Sequence, residues 1–152
     1  MPFTSTWTEE LVAEWLQLEG YMVQTRLPGL PTEVGGRYEP DIVGARIDKG
    51  MLKIRHCEVS AGLIGNPMKT GKRYANKFSP AVCGRVTTYF RDAFGIGEGE
   101  ETAYEYEKWV IADMSDNMRE ELLRKVPEVH LQKVADFVCD TVLLSIDAWR
   151  KN

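Results

Sequence analysis

Cysteine and histidine are scarce in this sequence, at three and two copies, and neither is spaced for a metal or a disulfide framework. Cys57, Cys83 and Cys139 contain no Cys-x-x-Cys pair, and their odd number does not describe a set of bridges. Three reduced, mostly buried thiols are the expectation. His56 and His130 are too far apart in sequence to read as a ligand pair, and His56 has no obvious partner, so a structural or incidental role is expected for it. No apolar run approaches the roughly 18 residues that a membrane span needs, which excludes a membrane role. The first residues, Met1 to Trp7, lack a basic stretch followed by an apolar one. That reads against a secretory signal and makes the cytoplasm the expected compartment.

What is present is ordinary globular composition. Hydrophobic residues make up 43% and charged residues 28%, which favours neither a disordered nor a membrane class. A length of 152 residues suits one domain, expected over 1–152. The net charge of −4 argues against whole-surface affinity for nucleic acid. The average conceals an asymmetry: 61–91 has no acidic residue but carries Lys69, Lys72, Arg73, Lys77, Arg85 and Arg91. The following stretch, 92–128, is rich in Asp and Glu.

Hydrophobic periodicity places a helix over 8–18, with Leu11, Val12, Trp15 and Leu16 on one face, a threonine cap before it and Gly20 as its stop. A short strand follows over 21–26, then turn signals at Pro28-Gly29-Leu30-Pro31 and Gly35-Gly36. Strands over 41–47 and 51–60 flank Asp48-Lys49-Gly50, a tight hairpin signal that makes them antiparallel. Beyond them, 62–71 reads as a loop, 72–78 as a short helix, and 80–94 as a second helix opened by Pro80. A break at 95–99 precedes a strand over 104–112, a helix over 116–125, a short strand at 129–131 and a closing helix over 133–149. The closing helix turns Val134, Phe137, Val138, Thr141 and Val142 inward. This order predicts an α/β fold with one central mixed sheet flanked by helices.

Asp41 opens the first hairpin strand and Glu58 lies near the end of the second, so antiparallel pairing brings the two carboxylates to one edge of the sheet. Acidic residues in otherwise apolar strands are costly unless paired, hydrated or bound to a metal. Two carboxylates, a backbone carbonyl and several waters are what Mg²⁺ prefers, and such a site supports metal-assisted phosphodiester hydrolysis.

Pro40-Asp41, the hairpin, and Glu58-Val59-Ser60 together resemble the Pro-Asp…(Asp/Glu)-x-Lys signature of the restriction-endonuclease-like superfamily. Upstream, Glu9, Leu11-Val12, Trp15-Leu16 and Gly20-Tyr21-Met22-Val23 stand in the relation that family members show on and after their first helix. The resemblance covers roughly 8–60 by motif and the remainder by element order. It implies an α-β-β-β-α-β core and Mg²⁺- or Mn²⁺-dependent cutting of DNA or RNA, with DNA the expected partner. It further implies Asp41 and Glu58 as metal ligands, the Val59 carbonyl as a third, and Glu9 as an auxiliary carboxylate. A homodimer is compatible with it, although no sequence feature demands one.

The departure is Ser60, where the family carries the lysine that orients the attacking water and supports developing negative charge. A serine hydroxyl donates a hydrogen bond but brings no charge. Lys53 should face the opposite side of the sheet, which leaves Lys72 or Lys77 to reach in from the next element. Lys69, Lys72, Arg73, Lys77 and Arg85 would hold the phosphate backbone. Tyr74, Phe78, Tyr89 and Phe90 could stack bases but fit helix core positions better. The rival reading is a catalytically inactive nuclease fold kept as a nucleic-acid-binding or protein-interaction module. The bland reading of Asp41 is a turn residue, and of Glu58 an exposed edge residue paired with Arg55 or Lys53.

Overall fold

The first helix, α1 (Trp7–Leu18), begins where the Glu9 N–H donates to Thr6 Oγ1 at 3.2 Å. Such a cap satisfies one of the orphan donors at a helix start, and Glu9 and Glu10 suit the positive end of its dipole. Val12, Ala13, Trp15 and Leu16 are buried at helical spacing, and Gly20, at φ +86°, lets the chain leave in the left-handed region. The computed structural model that shows this describes residues 6–27, 30–31, 37–97 and 103–152. The turn signals at Pro28, Gly29, Gly35, Gly36, Glu98 and Gly99 lie outside the described residues.

Strand β1 (Met22–Thr25) is followed by a separate two-stranded pair, β2 (Leu30–Pro31) and β3 (Arg37–Tyr38). Strands β4 (Ile42–Asp48) and β5 (Met51–Leu63) form the expected hairpin. Both Lys49 and Gly50 have positive φ, the combination that matches a two-residue turn to the twist of its strands. Next come α2 (Pro67–Lys77), α3 (Pro80–Ala93), β6 (Tyr104–Met114), α4 (Asp116–Lys125) and β7 (His130–Gln132). The main sheet has five strands in the order β1-β4-β5-β6-β7. Its first three strands are antiparallel neighbours, whereas β6 and β7 run parallel to β5. It is therefore a mixed sheet, with helices on both faces.

Alternation along β5 decides what each face meets. Cys57 and Val59 pack with Val12, Trp15, Leu16, Trp109, Ile111 and Phe137 under α1 and the C-terminal helical segment. Leu52 and Ile54 point the other way, toward Val86 and Phe90 of α3. Further along that second face, Leu63, Val110 and Ala112 pack with Tyr74 of α2 and with Met118 and Leu122 of α4.

Two elements depart from the sequence reading. The segment expected as a loop over 62–71 is divided: Gly62 and Leu63 end β5, and α2 already starts at Pro67. Asn66 accounts for the early start, because its Oδ1 accepts from the N–H groups of Met68 (2.9 Å) and Lys69 (3.2 Å). The closing helix is not uniform. A short α5 (Val134–Asp136) passes through a π-helical turn over Phe137–Val142 into α6 (Leu143–Arg150). The wider turn brings Phe137 and Val142, five residues apart, onto one buried side. Of the three cysteines only Cys57 is buried, so the expectation of mostly buried thiols is corrected; all three are free. Among the described residues no helix is long and apolar enough to cross a membrane.

Phe137 is fully buried, edge-on to Trp15 at 5.1 Å between ring centroids. Phe137→Ala should lower stability in urea unfolding by about 3–5 kcal/mol. Leu144→Ala, at a position 64% exposed, should change it by less than about 0.5 kcal/mol.

Candidate functional site

The register Ile42↔Cys57 extends by one residue to set Asp41, just before β4, opposite Glu58 on the central strand β5. The two carboxylates meet as the sequence spacing indicated. Asp41 Oδ2 accepts the Val59 N–H at 2.9 Å, which fixes the residue against the strand. Glu58 is not an exposed edge residue: its side chain is 0% exposed. Nor does it pair with Arg55 or Lys53, which lie on the other face with Glu19, Glu107 and Asp48 as their partners.

The charge on Glu58 is met from two sides. Lys77, in the last turn of α2, brings Nζ to 3.2 Å from Oε2. His56, two residues earlier on the same face and fully buried, places Nε2 at 2.9 Å from Oε1. The other ring nitrogen of His56, Nδ1, is 2.8 Å from the Tyr106 hydroxyl of β6. His56 therefore does have partners, which corrects the expectation of an incidental residue. Parity with Glu58 was the available signal. Tyr106 gave none, because the register of a parallel neighbour such as β6 is not encoded by a turn.

Burial pushes the Asp41 carboxyl up to about 7, the Glu58 charge adds to that, and Lys77 and the Val59 N–H oppose it. Burial raises Glu58 as well, while Lys77 and the bond from Asp41 pull it down. Burial alone would lower Lys77, but Glu58 and Asp41 outweigh it and hold the ammonium above the ordinary lysine value. Burial drives His56 down to about 3 against the pull of Asp41, leaving a neutral imidazole. Two carboxyls thus share the Lys77 ammonium, and burial raises both above their ordinary values.

A hard divalent cation fits that donor set, since two carboxylates with water and a backbone carbonyl suffice for Mg²⁺ or Mn²⁺. No group of three or more His, Cys, Asp or Glu side chains suited to a metal occurs among the described residues. His56 has both nitrogens and Glu58 both oxygens bonded to neighbours, and Asp41 Oδ2 accepts the Val59 N–H, so a cation held by the two carboxylates would share or displace these bonds.

The remaining sequence candidates are placed as follows. Ser60 donates its hydroxyl to the Gly62 carbonyl at 3.1 Å, beside an irregularity in the β5–β6 ladder. Val59 meets Asp41 through its N–H. Glu9 sits in the first turn of α1, a helix packed on the opposite face of the sheet from Glu58. Lys69, Lys72 and Arg73 are exposed along α2, and Arg85 is exposed on α3. Of the two lysines considered as replacements for the missing one, Lys77 bonds Glu58 whereas Lys72 is directed to solvent. Tyr74, Phe78 and Phe90 are buried core residues. Tyr89 is half-buried, and its hydroxyl donates to Gln24 Oε1 at 3.1 Å.

The two shifted groups have opposite pH signs. Asp41, raised from 3.8 to about 7, adds stability that is complete below pH 3.8 and lost as pH rises through 7. His56, lowered from 6.5 to about 3, adds stability present above 6.5 and lost as pH falls through 3. Between roughly pH 4 and 6.5 the slopes oppose, each up to about 1.4 kcal/mol per pH unit. In urea unfolding at stepped pH, Asp41→Asn should expose the His56 slope and lose stability from pH 6.5 to 4 more steeply than wild type. Parallel curves for the two proteins would contradict the assignment.

The sequence matches no family model and no curated protein, so what this site does has to be argued from its own residues and geometry.

Proposed function

We propose that the chain is a metal-dependent phosphodiesterase acting on nucleic acid, with a restriction-endonuclease-like core. The observation that carries this reading is Lys77 Nζ at 3.2 Å from Glu58 Oε2, beside Asp41. Helix α2 thereby returns to the site the positive charge that Ser60 lacks. The element order supports the same reading. Helix α1, the antiparallel strands β1, β4 and β5, the α2–α3 crossover and parallel β6 follow one another as in an α-β-β-β-α-β core.

In this reading Asp41 and Glu58 hold Mg²⁺ or Mn²⁺, with the Val59 carbonyl as a third oxygen, while Glu9, on a helix packed against the other face of the sheet, takes no part. What a divalent ion supplies there is charge that offsets the phosphate and acidifies water. Lys77 orients the attacking water and balances negative charge as it develops on the phosphoryl oxygens. Lys69, Lys72, Arg73 and Arg85 track the phosphate backbone, DNA being the first substrate to try. Because the whole chain carries a net charge of −4, binding depends on this local block and should weaken steeply with salt.

One observation favours the rival, an inactive fold serving as a binding module. Glu58 is wholly buried with both oxygens already bonded, as a structural ion-pair network would be.

A cleavage assay with Mg²⁺ and Mn²⁺ on plasmid, branched DNA, single strands and RNA decides between them. Wild type should cut, and Asp41→Ala, Glu58→Ala and Lys77→Ala should each reduce cutting by about 100-fold or more. Wild type that binds DNA but never cuts would leave the binding module. Cutting that persists in all three variants would mean that the chemistry lies elsewhere.

A further inference from the structure

We infer that Tyr106 and His56 form a positioning relay that holds the Glu58 carboxylate in the orientation that meets Lys77 and Asp41. The inference rests on the proposed metal site and adds two residues to it.

The direction of the relay follows from donor chemistry. Glu58, paired with the Lys77 ammonium, is an ionised carboxylate and offers only acceptors. The proton between His56 and Glu58 therefore belongs to Nε2, which donates to Oε1 across 2.9 Å. A neutral imidazole then has a bare Nδ1, which can only accept. Its partner at 2.8 Å is the Tyr106 hydroxyl, which must donate. The Glu58 carboxylate thus sets the His56 tautomer, Tyr106 anchors the ring by donating to Nδ1, and the other carboxylate oxygen meets Lys77 at 3.2 Å.

The ring itself is held in place. Phe78 lies 4.6 Å from the His56 centroid, and Tyr106 meets it edge-on at 5.9 Å. Without such partners the terminal torsion of a glutamate is broad, and the carboxylate plane could turn away from Lys77 and Asp41. Packing alone does not call for this arrangement, because Ile54 fills the neighbouring position on the same face of β5 with an aliphatic side chain. Partners that hold a metal-ligating group through its second atom commonly matter for affinity by about 10–100-fold.

Nitrogen NMR of the His56 ring and calorimetric titration with Mn²⁺, both on the full chain, test the relay. Wild type should show the Nε2–H tautomer. Tyr106→Phe, which removes only the hydroxyl, should keep that tautomer, shift the Nδ1 signal as its hydrogen bond is lost, and weaken Mn²⁺ binding by about 10-fold or more. Tyr104→Phe, at the exposed start of the same strand, should change neither the signal nor the affinity. An Nδ1–H tautomer in wild type, or equal Mn²⁺ affinity in wild type and Tyr106→Phe, overturns the relay and leaves the metal site standing. Wild type that binds no Mn²⁺ overturns the metal site, while the wild-type tautomer and the Nδ1 signal in Tyr106→Phe still decide the relay. Should Tyr106→Phe not fold, His56→Asn, too short to reach Glu58, replaces it with the same weakening expected.

Discussion

Glu58 puts a carboxylate with no solvent exposure on the central strand of the sheet, and the Lys77 ammonium is what answers its charge. Removing a carboxylate from water costs on the order of several kcal/mol unless a partner and further hydrogen bonds repay it. The side chains around Glu58 are arranged to do so. Lys77 brings a full charge to one oxygen, neutral His56 brings an N–H to the other, and Asp41 adds a second acid that burial raises to about 7.

That requirement extends into the fold. Lys77 reaches Glu58 from the last turn of α2, a helix whose start Asn66 caps. Gly71 lets α2 lie close to α4, since a Cβ there would stand 2.9 Å from Glu121 Cγ. The opposite face of β5 shows the converse arrangement. Arg55 is stacked over Trp15 and Tyr21, each at 4.6 Å, and is bonded to Glu19 and Glu107. One strand therefore carries a buried anion on one side and a largely buried cation on the other, each held by its own set of partners.

Much of this was legible in the sequence because it depends on local rules. The 3.6-residue period marked α1, the Lys49-Gly50 turn set the β4–β5 hairpin, and strand pairing then placed Asp41 against Glu58. Under the resemblance drawn from the sequence, Ser60 implied a positive charge supplied from elsewhere, and the basic block narrowed its source to Lys72 or Lys77. The choice between those two was not legible, because it depends on which side of α2 packs against the sheet, and no local pattern encodes that. The partners of His56 were hidden for a different reason. Tyr106 joins through a parallel pairing that spans two intervening helices, and no sequence period encodes such a register. The π-helical turn at Phe137–Val142 was likewise hidden, since an unbroken helical pattern does not show where one residue is added to a turn.

A double-mutant cycle on Glu58 and Lys77, read by urea unfolding, tests the central pairing most directly. Lys77→Met alone should cost about 3–5 kcal/mol, because it leaves a buried charge without its partner. Adding Glu58→Gln should recover much of that loss, giving a coupling of about 2 kcal/mol. Losses that simply add, to within about 0.5 kcal/mol, would mean that Lys77 does not answer the charge on Glu58 and that the site is not organised around this pair.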